Sequence, residues 1–523
     1  MPAKLDRQNY IRDCYRGKTG YADGVPLDIL QAVHIESGLE DAIVAALKMD
    51  LDIVLTGNPG DGKTHLLRLL QGRIQKTKPG TTVVLDASQL TNEEIISAWR
   101  KAKTPFCIAV NEGVLKDLAD ADPGLECITA AQEQVENAVR YYCARENPTA
   151  TESSNVSVFD ISRRNVLTKP IVDKMLDRLT DESIFPTPPE CDSPENNFVL
   201  HRQVLRHVLF RSRLQAILDQ VSQTGFHATI RDLQGFISYL LFRGVSYSQL
   251  AEECGDDAHF VTELVFTGDG PLFDAIRRVF DPSNVSHPVW DERLLAADIE
   301  PQTWTLDWAA PVNAITIRDV SELYRRRRRF YFLNENGDAY RQISDTLSHQ
   351  YVALLAQDER DCIRNLLRSI NAAFGSSMED GKLRIWESHH YDHKSETVLY
   401  SARSIERREF EIAKPSLRPP MSKAFEIPID HLQLRLKASP ALRLVIDYDL
   451  FGLLCQAAAG VPVLSLRSHL TRRLWQFMEQ LAAEHSVGTH DECDVTVRDI
   501  RTGRQATVTI DQERRQYVAL KEE

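Results

Sequence analysis

The sequence contains no C-x-x-C pair, and its nine cysteines (14, 107, 127, 143, 191, 254, 362, 455 and 493) are scattered along 523 residues. That spacing excludes a zinc ribbon and a disulfide framework, and it fits the reduced thiols of a cytoplasmic protein. Positive charge is not in excess: a net charge of −13 and a pI near 5.7 exclude a surface that coats nucleic acid at large. Any such contact therefore needs a local basic patch. Long apolar runs are also missing. The longest, LFGLLCQAAAGVPVL (450–464), is interrupted by Gln456 and Pro462 and is too short to span a bilayer. The opening stretch MPAKLDRQNYIRDCYRG lacks the apolar core of a signal peptide, and no internal repeat is visible. The expectation is a soluble, cytoplasmic chain with no membrane partner. By length it should hold about three domains.

What is present is concentrated at residues 57–64. GNPGDGKT fills every position of the pattern G-x-x-x-x-G-K-[ST]. The run before it, DIVLTG (52–57), has the apolar content of a short strand. The run after it, THLLRLLQGRIQK (64–76), repeats Leu66, Leu70 and Ile74 at helical spacing. Glycines at such a strand–helix junction let backbone N–H groups turn inward around a phosphate, and the helix N-terminus adds a favourable dipole. The expected nucleotide-binding residues are Gly57, Asn58, Pro59, Gly60, Asp61, Gly62, Lys63, Thr64 and His65. Lys63 should reach the β- and γ-phosphates of ATP, and the Thr64 hydroxyl should bind Mg²⁺.

Four apolar runs, at 52–57, 81–88, 105–113 and 156–162, alternate with helical segments through the first third. This is the order of a parallel α/β sheet. Thr91 and Glu94 form a capping box that opens one of the intervening helices. A helical stretch at 123–145 and an exposed loop at 146–156 lie between the third and fourth runs. The third run, FCIAVNEG, ends in Asn111–Glu112. Glu112 is the candidate general base, since a carboxylate accepts a proton from water and an amide does not. Asn111 stands where an aspartate would hold Mg²⁺; it offers an oxygen without the charge. A polar turn after a strand is the alternative reading of that pair. The fourth run ends in Asp160-Ile161-Ser162-Arg163-Arg164-Asn165. Its two arginines read either as an arginine finger or as solvated residues opening a helix.

Beyond residue 166 the apolar spacing is helical, and FPTPPECDSPENN (185–197) is rich in turn formers, a candidate boundary. From about 380 onward alternating runs (GKLRIW, ETVLYSARSI, FEIAKP, ALRLVIDYD, CDVTVRDI, RQATVTIDQ) read as strands, with one helix at 469–484. The expected organisation is an N-terminal segment (1–40), a parallel-sheet P-loop NTPase core (41–185), a helical lid (186–345) and a β-rich C-terminal partner-binding domain (346–523). Arg325–Arg329, followed by Phe330-Tyr331-Phe332, is the most basic segment of an acidic protein. It reads either as a strip for DNA phosphates with aromatic neighbours able to stack on bases, or as an exposed or partner-paired face. His389, His390, Asp392 and His393 have zinc-binding side chains, but neighbours in one turn rarely converge on a single ion, so an exposed hairpin is expected there.

The P-loop, the IAVNEG strand, the D-I-S-R-R-N strand end and the TIRDL helix together resemble the AAA+, additional-strand ATPases of bacterial anti-phage defence gene clusters, those of DNA-phosphorothioation-dependent restriction among them. The resemblance covers roughly residues 40–335. It implies that Asp160 and Ser162 contact the γ-phosphate or the attacking water. It also implies that Arg231, at the start of a lid helix, couples lid angle to the γ-phosphate. Finally, it implies an oligomeric ATPase subunit whose partners are other defence proteins, a nuclease among them. The alternative is a slow nucleotide-dependent switch that docks protein partners through its C-terminal domain. A small-molecule kinase is weaker, since it needs a short lid rather than a long helical one.

Overall fold

In the computed structural model the described residues are 7–15, 24–103, 105–142, 155–187, 189–252, 260–315, 319–341, 343–375, 381–390, 397–415, 430–466, 468–484, 494–499, 504–511 and 516–522. Most of the expected loop at 146–156, Asp392 and His393, and Cys143, Cys254 and Cys493 lie outside them. The chain divides into two compact units, the first of residues 1–141, 148–346 and 416–428 and the second of 142–147, 347–415 and 429–523.

The first unit holds a four-stranded sheet of β1 (Asp52–Thr56), β2 (Thr82–Val84), β3 (Phe106–Ala109) and β4 (Val156–Asp160). All its pairings are parallel, in the order β2-β3-β1-β4. Parallel neighbours need crossover connections. These are helices: α1 (Arg7–Cys14), α2 (Leu27–Val33) and α3 (Leu39–Lys48) precede the sheet, and α4 (Lys63–Thr77), α5 (Asn92–Lys101), α6 (Glu112–Ala121) and α7 (Glu126–Tyr142) run between its strands. Side chains alternate along each strand, so the sheet buries both faces. Ile53, Leu55, Cys107 and Phe159 meet Ile43 of α3 and Leu67 of α4. Val54, Phe106, Ile108 and Val158 meet Ile95, Leu118 and Ile128 of α5, α6 and α7. Two buried faces explain why these strands read as continuous apolar runs. The capping box of α5 is present, with the Glu94 carboxylate accepting from Thr91 N at 2.8 Å.

A helical region follows, from α8 (Lys169–Thr180), α9 (Asn197–Arg206), α10 (Val208–Gln223) and α11 (Ile230–Phe242) through α12 (Tyr247–Glu252), α13 (Val261–Thr267), α14 (Pro271–Val279) and α15 (Pro288–Ala296) to α16 (Val320–Leu333). Its core is continuous with the N-terminal helices: Tyr10, Ile11, Ile29, Leu30 and Val33 belong to the same buried cluster as Phe236 and Leu240. Residues 1–40, expected as a segment apart, thus contribute their described helices to the helical core.

The basic run lies on α16 (Val320–Leu333). A helix turns about 100° per residue, so five consecutive arginines on α16 radiate around it rather than form a strip. Arg326 and Arg327 are buried. Arg327 forks onto Asp291 with bonds of 2.8 and 2.7 Å, and Tyr340 donates to the same carboxylate at 2.7 Å. Arg328 bridges Asp281 and Glu263 at 2.6 Å each. Arg325 and Arg326 share Glu322, and Arg329 lies over the Phe260 ring. Phe330, Tyr331 and Phe332 are at most 2% exposed, which removes them as stacking platforms for bases.

The main stretch of the second unit begins within α17 (Ile343–Ala356) and continues with α18 (Glu359–Ala373). Two antiparallel sheets follow. One has five strands in the order β12-β11-β10-β6-β5, from β5 (Lys382–His390), β6 (Thr397–Glu406), β10 (Asp494–Asp499), β11 (Gln505–Asp511) and β12 (Gln516–Glu522). The other has three, β7 (Phe410–Ala413), β8 (Leu432–Leu436) and β9 (Ser439–Ile446). Helices α19 (Tyr448–Ala458) and α20 (His469–Glu484) complete the core, with Leu367, Trp386, Leu434, Leu450 and Phe477 at its centre. The interrupted apolar run at 450–464 begins as the buried face of α19. Among the described residues no helix is long and apolar enough to cross a membrane.

Candidate functional site

The loop between β1 and α4 is built on glycines with φ of +146°, +101° and +95° at Gly57, Gly60 and Gly62, a region that other residues rarely occupy. Space adds a second constraint at two of them. A Cβ on Gly57 would meet Asp61 Oδ2 at 2.9 Å and Ser162 N at 3.1 Å; on Gly60 it would meet Thr229 Oγ1 at 3.0 Å. Asp61 is buried and braces the turn by accepting from Asn58 N at 2.6 Å. Lys63 opens α4, and its ammonium donates to the carbonyls of Gly57 at 2.7 Å and Asn58 at 2.9 Å. Burial lowers the Lys63 pKa, against the pull of Asp61, Asp86 and Asp160. The lysine is thus held at the loop by carbonyls, where a phosphate can offer it stronger, charged acceptors.

A cavity of ≈ 580 Å³ opens at this loop. Pro59 to His65 line it, joined by Asn111 at the head of α6, Arg164 after β4 and Arg231 in the first turn of α11. Arg231 is drawn in by the backbone: its N–H donates to the Gly60 carbonyl at 3.3 Å. Its charge lowers the Lys63 pKa. The far wall carries a hydrogen-bonded chain. His65 contacts His34 at 3.3 Å, His34 contacts Glu40 at 2.9 Å, and Ser37 donates to Glu40 through its amide and hydroxyl. Burial, helped by His34 and Arg68, drives the His65 pKa down to about 3, so that imidazole is neutral at physiological pH.

The remaining expected residues are placed differently. Glu112 is exposed in the first turn of α6. Its carboxyl pKa is raised, by desolvation first and the Asp160 charge second, with Arg163 and Lys63 opposing. Asp160 is buried and occupied: it accepts from Ser162 N at 3.0 Å, Ser162 Oγ at 2.6 Å and Arg163 Nε at 3.2 Å. Asp160, Ser162 and Arg163 therefore form one tied turn behind Gly57.

Sequence reasoning missed two acidic-site features. Asp86 follows β2 and lines the same cavity as Lys63 and Thr64. Its signal was available in TTVVLDAS, an apolar run ending in a carboxylate. His227 contacts Asp61 at 3.1 Å across 166 positions of sequence, a separation that no local pattern reveals. Thr64, Asp86 and Asn111 together present oxygen donors, the donor type that Mg²⁺ takes. Among the described residues no group of three or more His, Cys, Asp and Glu is placed to hold a metal alone; Mg²⁺ sites of the nucleotide kind draw on substrate phosphates instead. Comparison with protein-family models, with curated proteins and with solved structures finds no match to this chain.

Proposed function

We propose that the first unit binds ATP with Mg²⁺ and hydrolyses it. The carrying observation is Lys63, seated on the carbonyls of Gly57 and Asn58 at the head of α4 in a cavity shared with Thr64, Asp86, Asn111 and Arg231. In this reading the loop amides and Lys63 hold the phosphates. Thr64 and Asp86 would hold Mg²⁺, which neutralises charge on the β- and γ-oxygens when bound. Asp86 replaces Asn111 as the charged partner, and Asn111 becomes the polar strand-end group facing the γ-phosphate. Glu112 is the base, its raised carboxyl pKa suiting proton acceptance nearer neutrality. Arg231 stabilises charge from the α11 side. The sheet order supports these roles by putting the ends of β2 and β3, with Asp86 and Asn111, on the same side of the loop strand β1.

On the resemblance to anti-phage defence ATPases, we read this activity as belonging to a restriction-like complex with a nuclease or another nucleic-acid-directed partner. A second reading, the nucleotide-dependent switch with the second unit docking protein partners, gains from the burial of residues 330–332 and the ion pairing of the arginines before them. Steady-state ATP hydrolysis by the full chain, alone and with single- and double-stranded DNA, separates the two. Stimulation by DNA supports the nucleic-acid-directed machine, and slow turnover indifferent to DNA supports the switch. Lys63→Ala is expected to abolish ATP binding; tight binding by that variant would remove the loop from the site.

A further inference from the structure

The start of α11 is seated on the nucleotide loop by three separate contacts. Arg231 N donates to Gly60 O at 3.3 Å, and Thr229 fills the space that a side chain on residue 60 would need. His227 Nε2 meets Asp61 Oδ1 at 3.1 Å, while the other oxygen of Asp61 accepts from Asn58 N at 2.6 Å. One buried carboxylate thereby ties together the inside of the loop and a helix far away in sequence. The Thr229–Asp232 capping box holds the approach rigid, with Thr229 Oγ1 donating to Asp232 at 2.7 Å.

We propose that His227 is a positioning residue for the nucleotide loop: clasped to Asp61, it holds the loop in its phosphate-binding shape and keeps Arg231 over the same cavity. The inference rests on the reading of residues 57–64 as a nucleotide loop. The charged groups around His227 are Asp61 of the loop, Asp232 of α11 and Asp160 of the β4 end, with Lys63 and Arg231 at the shared cavity. The Asp61 hydrogen bond outweighs desolvation and raises the His227 pKa above its ordinary value. The clasp is therefore strongest while His227 is protonated, and it weakens as pH rises through that raised value.

The test uses the full chain, with His227→Ala, His227→Gln and Asp61→Asn beside the unaltered protein. Binding of a fluorescent ATP analogue with Mg²⁺ is measured between about pH 6 and pH 8.5, and hydrogen exchange of residues 57–64 is measured without nucleotide. His227→Ala should weaken binding about tenfold, the scale of one charge-assisted hydrogen bond, and should speed exchange in the loop. His227→Gln keeps a donor toward Asp61, so it should recover binding to within about threefold while losing the pH dependence. Asp61→Asn should reproduce the loss of pH dependence from the other side, which covers poor folding of the alanine variant. Unchanged binding and exchange in His227→Ala, or one pH profile shared by all the proteins, would overturn the clasp. If the unaltered chain binds no analogue, the nucleotide reading falls, and the exchange comparison still decides whether His227 shapes the loop.

Discussion

A carboxylate and an amide differ by one charge, and that charge separates Asp86 from Asn111 at this cavity. Both line it with Thr64, but only Asp86 can neutralise part of a divalent cation. Asp86→Asn is therefore expected to raise the Mg²⁺ concentration for half-maximal hydrolysis about tenfold, or ~1.4 kcal/mol. An unchanged Mg²⁺ response would place the cation elsewhere. Glu112 invites a different test, because its carboxyl pKa is raised by desolvation and by Asp160. A base works only when deprotonated, so hydrolysis should fall on the acid side at a pH above the ordinary glutamate value of about 4.3. Glu112→Gln should retain ATP binding and lose about 10²–10⁴-fold in turnover. Undiminished turnover would leave another group to activate the water. The glycine turn at 57–62 was legible in the sequence, since the glycine spacing is itself the requirement for the turn. Asp160 and Ser162 were legible as polar residues at a strand end, but not their hydrogen bonds to one another, which appear only in the folded strand end.

At the scale of an element, α16 shows how a charge run misleads. A basic strip needs its charges on one face, whereas helical geometry distributes five consecutive residues around the axis. The inward ones then require partners, and α13, the turn after α14, and α15 supply Glu263, Asp281 and Asp291. Removing Arg328 would leave Glu263 and Asp281 buried without the guanidinium that pairs them. Arg328→Ala is expected to destabilise the first unit by about 3–5 kcal/mol, read from the denaturant midpoint. Arg325→Ala, whose side chain is 31% exposed, should cost no more than about 1 kcal/mol. Equal and small losses for both would mean that the network contributes little to stability. Helix α11 makes the complementary point: its amphipathic pattern and the Thr229–Asp232 cap are local, but its seat on Gly60 is not.

For the whole molecule, the cores of the two units are separate: the sheet and helical clusters of the first, and one mixed cluster of the second. A ligand bound only by the folded first unit should stabilise that unit by mass action, about 2.7 kcal/mol at a hundred times Kd. ATP with Mg²⁺ should accordingly slow hydrogen exchange in β1 and β3. A simultaneous change in β8 and β9 of the second unit would favour the switch reading. No change in either unit would remove the proposed ligand. The β-rich character of the second unit was legible in its alternating runs, but its four described helices were not all so. α20 is plain in its spacing; α18 has apolar residues at helical spacing too, at Cys362, Ile363, Leu366, Leu367 and Ile370, but with α17 it precedes the first alternating run, and α19 lies in a run of nearly continuous hydrophobicity.

By itself the sequence determined what depends on neighbours along the chain: the glycine loop and its lysine, the parallel strand–helix alternation, the α5 cap, and the alternation of the later strands. Each is a short-range demand of backbone geometry or of one buried face. Tertiary structure decided that Asp86 after β2 and Asn111 after β3 line one cavity with Lys63 and Thr64, a convergence that the sheet order produces. It also decided that the arginines of α16 turn inward, because their partners lie up to 65 residues away. The His227–Asp61 contact follows the same rule: it forms only when the helical region folds back onto the loop. Ion pairs and shared cavities are set by three-dimensional proximity, and spacing along the chain carries little of it.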